Sequence, residues 1–187
     1  MLNRRVAHTL AASAALCALS SIVVGAVGRE QARGTPMPPV SAKAKLAEAT
    51  AAARKWRADA ILIQVASKFV NESGMTAMWD YAFWSASAKT CAIVNVGPTQ
   101  AGVTQETGGA GCEEAAVKDF IDSDQALKIA KANGVTAART SMVVSVSPVK
   151  GVARAVWVVM DEAGMKPGDV MLDIDAVSGA VVGKSKQ

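Results

Sequence analysis

Two aspartates, Asp173 and Asp175, stand two residues apart in the run from Val170 to Ala176. In an extended strand that spacing puts both carboxylates on one face. Asp161 and Glu162 lie nearby in the chain. Such groups could hold a hard cation through oxygen ligands, or share the acid and base halves of a proton transfer. A solvated strand face carries the same residues, and no EF-hand loop accompanies these. The chain's single histidine, His8, falls in the N-terminal leader. Without it the remainder lacks the usual general base for a serine or cysteine nucleophile and the commonest neutral metal ligand. Ser141 or Ser147 with Lys150 could in principle form a Ser/Lys hydrolase pair, but no spacing in the chain makes that pair specific. Gly108-Gly-Ala-Gly111 has no Lys-Ser or Lys-Thr after it, so it does not make a phosphate loop. The expectation is a non-enzymatic protein with no catalytic residue, no metal and no cofactor.

Of the three cysteines, Cys17 lies in the leader and follows Leu16, where a lipid-attachment signal needs Gly, Ala or Ser. Cys91 and Cys112 are left, an even count in a compartment that permits disulfides. They are predicted to pair, restraining the Gly-rich polar segment 104–111 and contributing about 3 kcal/mol. Two unpaired buried thiols are the competing arrangement, and the spacing excludes a CxxC redox pair.

The compartment follows from residues 1–28. Arg4 and Arg5 precede a mostly apolar run from about Ala11 to Val27, the basic and apolar regions of a secretory signal. Val24-Gly-Ala26 and Ala26-Val-Gly28 are overlapping small-residue cleavage patterns, and cleavage near Gly28 is expected. An uncleaved anchor is the alternative, because residues 6–27 approach the roughly 20 that span a bilayer. The expected location is periplasmic or extracellular, with membrane contact only through this segment if it is retained. Removing residues 1–28 takes Lys plus Arg from 20 to 18 against 16 acidic residues, so the net charge falls from +4 to +2. No remaining cluster of Lys and Arg forms the stripe that phosphate neutralisation requires. Nucleic acid is not an expected partner.

The elements that must position these groups come in two similar sets. Residues 29–41, with Gly34, Pro36, Pro38 and Pro39, form a tether. Ser41 is placed to cap a helix over 42–57, whose Leu46, Ala49, Ala53 and Trp56 recur at helical spacing. Strands follow at 60–65, around 79–83 and at 91–96. Trp79, Tyr81 and Phe83 alternate onto one face, and with Trp84 they could form a ligand platform, although a helix needs such a row as its core. A connecting loop is expected over 98–119. Asp122 or Ser123 then caps a second helix, with Gln125 in capping-box position and Gly134 as its stop. Strands are expected at 142–146, 153–160 and 170–176. The fold class is therefore α+β, with two helix-plus-three-stranded antiparallel sheet units at 42–97 and 120–187.

The second unit resembles the PepSY domain family over about residues 120–183. The resemblance is carried by the capped, Ala-rich helix from Ser123 to Asn133, by Leu172-Asp-Ile-Asp-Ala-Val-Ser-Gly179, and by Val181-Val182. In that family the Asp-x-x-(Ser/Thr)-Gly pattern makes a tight turn after the last strand, and Asp175 to Gly179 matches it. The first unit lacks this turn. The resemblance implies a binding or inhibitory module without a cofactor, whose partner is another envelope or secreted protein. A small-ligand binder using the Trp79, Tyr81 and Phe83 face is the alternative, and the Ser/Lys hydrolase a further one.

Overall fold

Alternation of large apolar and small or polar residues, as in Tyr81-Ala-Phe83 and Ala92-Ile-Val-Asn-Val96, makes strands because successive side chains point to opposite faces of the sheet. In the computed structural model, which describes residues 37–96, 101–108, 112, 115–161 and 168–186, the chain follows this pattern through two matching series. The first comprises α1 (Leu46–Trp56), β1 (Ile61–Val70), β2 (Asp80–Ser85), β3 (Thr90–Val96) and β4 (Ala101–Gly108). The second comprises α2 (Ser123–Ala132), β5 (Thr140–Val149), β6 (Val152–Asp161), β7 (Val170–Asp175) and β8 (Val181–Lys186). The expected leader and residues 29–36 of the expected tether lie outside the described residues.

The strands form one antiparallel eight-stranded sheet in the order β4-β3-β2-β1-β5-β6-β7-β8. This corrects the expectation of two separate helix-plus-three-stranded units. Each series has a fourth strand, and β1 and β5 pair directly, with Val65 opposite Val144. β4 lies inside the span expected to be a connecting loop. Six of its eight residues are exposed, so it carries no apolar period to betray it. Pairing β1 to β5 satisfies the backbone groups that each meander would otherwise leave unpaired at its inner edge. The order reads the same from either edge, and the antiparallel central pair relates the two series by a local twofold normal to the sheet.

A single cross-strand row shows how the core is organised. Val103, Val94, Tyr81, Val65, Val144, Trp157, Ile174 and Val181 are successive register partners across all eight strands. The six inner members are no more than 1% exposed, whereas Val103 and Val181 on the outer strands are 37% and 41% exposed. Both helices cover this face. α1 lies over β2, β3 and β4, and α2 over β6 and β7. Ala49 and Ala53 of α1, and Ala126, Leu127 and Ala130 of α2, join the same buried cluster as the row. Small residues let the helix backbones approach the sheet while the large side chains come from the strands. Trp157 is met edge-on by Trp79 and Phe120, with ring centroids 6.2 and 5.7 Å away.

The start of α1 and the start of α2 are tied together. Ser41 does not cap α1, whose N-cap is Lys45 without a side-chain hydrogen bond. Its hydroxyl instead donates to Asp122 Oδ2 at 2.6 Å, while the Lys43 amide donates to Asp122 Oδ1 at 3.0 Å. Asp122 is the N-cap of α2, accepting from the Ser123 amide at 2.8 Å. Gly134, after α2, has φ +101° as a left-handed stop requires.

Candidate functional site

β1 loses its regular register against β5 near its end. Ser67 pairs with Met142 and Val70 with Thr140, so Lys68 and Phe69 together oppose Ser141. Such a bulge re-aims the side chains it carries. Phe69 is left 60% exposed, and Met78, just before β2, is also 60% exposed. They border a groove of about 340 Å³ on the sheet face away from the helices, lined by Gln64, Ala66, Asp80, Ser141 and Val143 among others. Asn95 Nδ2 donates to Asp80 Oδ1 at 2.6 Å, which fixes that carboxylate at the groove. Lys68, exposed beside Phe69, adds a cation.

The groove belongs to a broader face that is apolar for its position. Ala66, Ala82, Trp84, Ile93, Val143, Val158, Met160 and Met171 alternate with the core row and are only partly buried. β6 runs Val156-Trp-Val-Val-Met160, a continuous apolar stretch of the kind found in strands covered on both sides. Among the described residues no helix packs on this side.

The residues singled out from sequence fall in different places. Trp79, Tyr81 and Phe83 are 3%, 1% and 1% exposed, under the helices. Trp79 Nε1 donates to the Val40 carbonyl and Tyr81 Oη to the Ala42 carbonyl, each at 3.0 Å. Burial, together with the charges of Asp122 and Glu48, pushes the Tyr81 phenol well above its usual range. Trp84 lies on the opposite, helix-free face and is half-buried. Cys91 and Cys112 form a disulfide with Cα atoms 5.7 Å apart, inside the normal range.

Asp173 and Asp175 share the helix-free face, as their spacing requires, but do different things. Asp175 is buried. Its Oδ1 accepts from the Val177 and Ser178 amides at 3.1 and 2.9 Å and from the Ser178 hydroxyl at 2.9 Å, and Arg154 Nη1 lies 3.3 Å from Oδ2. The Ser178 amide first, then its hydroxyl, hold the Asp175 carboxyl below the usual range. The Gly179 amide closes the turn on the Asp175 carbonyl at 2.9 Å, with φ +73° at Gly179. Asp173 faces Gly183, where a Cβ would collide with its carboxylate. Among the described residues no three His, Cys, Asp or Glu side chains are grouped to hold a metal ion. No described helix is long and apolar enough to cross a membrane.

Of the candidate nucleophile pairs, Ser141 lines the groove. Ser147 lies on β5 toward the hairpin where Lys150 and Gly151 both take positive φ, 51° and 79°, as a two-residue turn of the primed type demands. Phe69 and Met78 are the residues that sequence reasoning passed over. Local sequence carried no signal for either, because the bulge that exposes Phe69 is set by the pairing of β1 with β5.

Comparison with known proteins gives no match to a family model, a curated protein or a solved structure.

Proposed function

We propose that this chain is an exported, non-enzymatic binding protein that docks another envelope or secreted protein on the helix-free face of its sheet, and so inhibits or regulates it. The observation that carries this reading is the pair Phe69 and Met78, each 60% exposed at the border of an apolar groove. Two large apolar side chains left in water, Phe69 on a backbone bulge and Met78 just before β2, are a standing cost unless a partner covers them. Lys68 and Asp80 at the same groove supply one charge of each sign for orienting that partner. The PepSY resemblance adds the inhibitory or regulatory sense of the contact, and the secretory leader adds the compartment.

The test is site-specific photo-crosslinking in the envelope. A photoreactive side chain at Phe69 or Met78 is expected to give one discrete protein adduct. The same group at Val177, which is 62% exposed in the β7–β8 turn, is expected to give none. Absence of an adduct at Phe69 and Met78, or the same adduct from all three positions, refutes the docking face.

A further inference from the structure

The two outer strands hold equivalent places in the two series, so the fold asks the same of both and their chemistry can be compared directly. β8 carries Lys184 and Lys186 in six residues, the charged edge that discourages pairing with another chain. Lys184 also reaches the Asn133 carbonyl at 2.6 Å. β4 has no lysine, arginine or proline in its eight residues. Its single charge, Glu106, lies 3.8 Å from Arg57 and accepts from the Thr90 hydroxyl at 3.2 Å. Residues 103–108 are all exposed.

β4 is also held in place from its own side. The register leaves Thr104 as a bulge against β3, and its Oγ1 lies 2.8 Å from Asn95 Oδ1 and 3.3 Å from the Ile93 carbonyl. At the other end Thr107 Oγ1 lies 3.2 Å from Cys91 Sγ, against the Cys91–Cys112 disulfide. A pinned edge that no other described strand pairs with loses little conformational freedom when a strand adds to it.

We infer that the strand added to β4 is β4 of a second copy, joined antiparallel across a twofold axis. With the axis at Gln105, that residue faces its own counterpart and Glu106 faces Thr104 of the second copy. No like charges stand directly opposite, and the Thr and Gln side chains can hydrogen-bond across the seam. The chain already makes this junction once within itself, where β1 and β5 pair antiparallel about the local twofold. Since such an axis stands normal to the sheet, the dimer carries both helix layers on one side and both Phe69–Met78 grooves on the other. A partner presenting two sites then gains affinity through effective concentration. Pairing β4 with β8 would set Glu106 near Lys184, but a head-to-tail contact of that kind does not close and grows into filaments.

Sedimentation of the purified protein, with no other protein present, tests the dimer. A discrete, concentration-dependent dimer is expected. Gln105→Lys sets two ammonium groups against each other at the axis and is expected to weaken the dimer about fivefold, the upper end for one opposed pair. Ser185→Lys on β8 is expected to leave it unchanged. Gln105→Cys under mild oxidation is expected to trap a covalent dimer. A protein that stays monomeric at every concentration, a Gln105→Lys dimer as tight as the parent, or open-ended growth each overturns the inference. Because no docking partner enters the measurement, its outcome is independent of the proposed docking face.

Discussion

The hydroxyl of Ser123 donates to the carbonyl of Gly74 at 2.6 Å, joining the first turn of α2 to a loop 49 residues earlier. The same oxygen accepts from the Ala42 amide at 3.0 Å. One fully buried side chain therefore connects the approach to α1, the β1–β2 loop and the start of α2. Ser123→Ala removes both bonds and leaves a buried amide and carbonyl without partners. A loss of about 2 kcal/mol is expected from two such groups, measured by urea denaturation. Wild-type stability in that variant would mean the junction contributes nothing.

Gly74 is expected to be still less tolerant. It has φ +79°, and a Cβ there would overlap the Asp124 Cα and crowd the Ser123 carbonyl, which are backbone atoms that cannot swing aside. Gly74→Ala adds left-handed strain to that overlap. A cost of about 3 kcal/mol or more is expected in the same denaturation assay, larger than that of Ser123→Ala.

Acid sensitivity is expected to trace in part to Asp59. Its carboxylate accepts from the Ser87 amide and the Ser85 hydroxyl, both at 2.8 Å, and the Ser87 amide first, with Ser85, lowers its pKa to about 2. The folded value lies below the unfolded one of about 3.9. The contribution is therefore present above about pH 4 and lost as pH falls toward about 2. Melting temperatures of wild type and Asp59→Asn across that window should show a steeper fall for wild type. Parallel curves would rule Asp59 out. Asp175, shifted in the same direction, leaves a residual acid slope in the variant.

Reduction of Cys91–Cys112 opens a crosslink spanning a sequence separation of 21. The chain-entropy estimate for a loop of that length is about 3 kcal/mol. Denaturation with and without reductant should differ by that order, and Cys91 and Cys112 should take up an alkyl group each only after reduction, read by peptide mass. Alkylation of either residue in the native protein would contradict the bond.

Phe69→Ala and Met78→Ala are expected to separate binding from folding. Both side chains are exposed, so stability should stay within about 0.5 kcal/mol of wild type. If they anchor a partner, each truncation should weaken its capture at least about tenfold, as interface anchors do. Unchanged capture by the double variant would remove the groove from the binding surface.

How much of this was legible beforehand differs by element. Tyr81, Phe83, Ala92 and Val94 announce inner strands because a strand buried on one face must alternate. Thr104 to Gly108 announce nothing, since an outer strand needs only one ladder and its exposed side chains are free to be polar. Ser41 and Asp122 show the limit of local capping rules. Ser41 stands before α1 as a cap should, yet its hydroxyl is drawn to a carboxylate 81 residues away. Phe69 was hidden for a similar reason, because its exposure depends on a bulge set by β5.

By itself the chain determined its inner strands, its two helices and the turn from Asp175 to Gly179, all set by local periodicity and backbone preference. Only the tertiary structure decided that the two series join as one eight-stranded sheet and that Phe69 and Met78 stand in solvent. Those outcomes depend on which strand edges meet and which face the helices choose, and they are settled by contacts between residues far apart in the chain, where local pattern carries no signal.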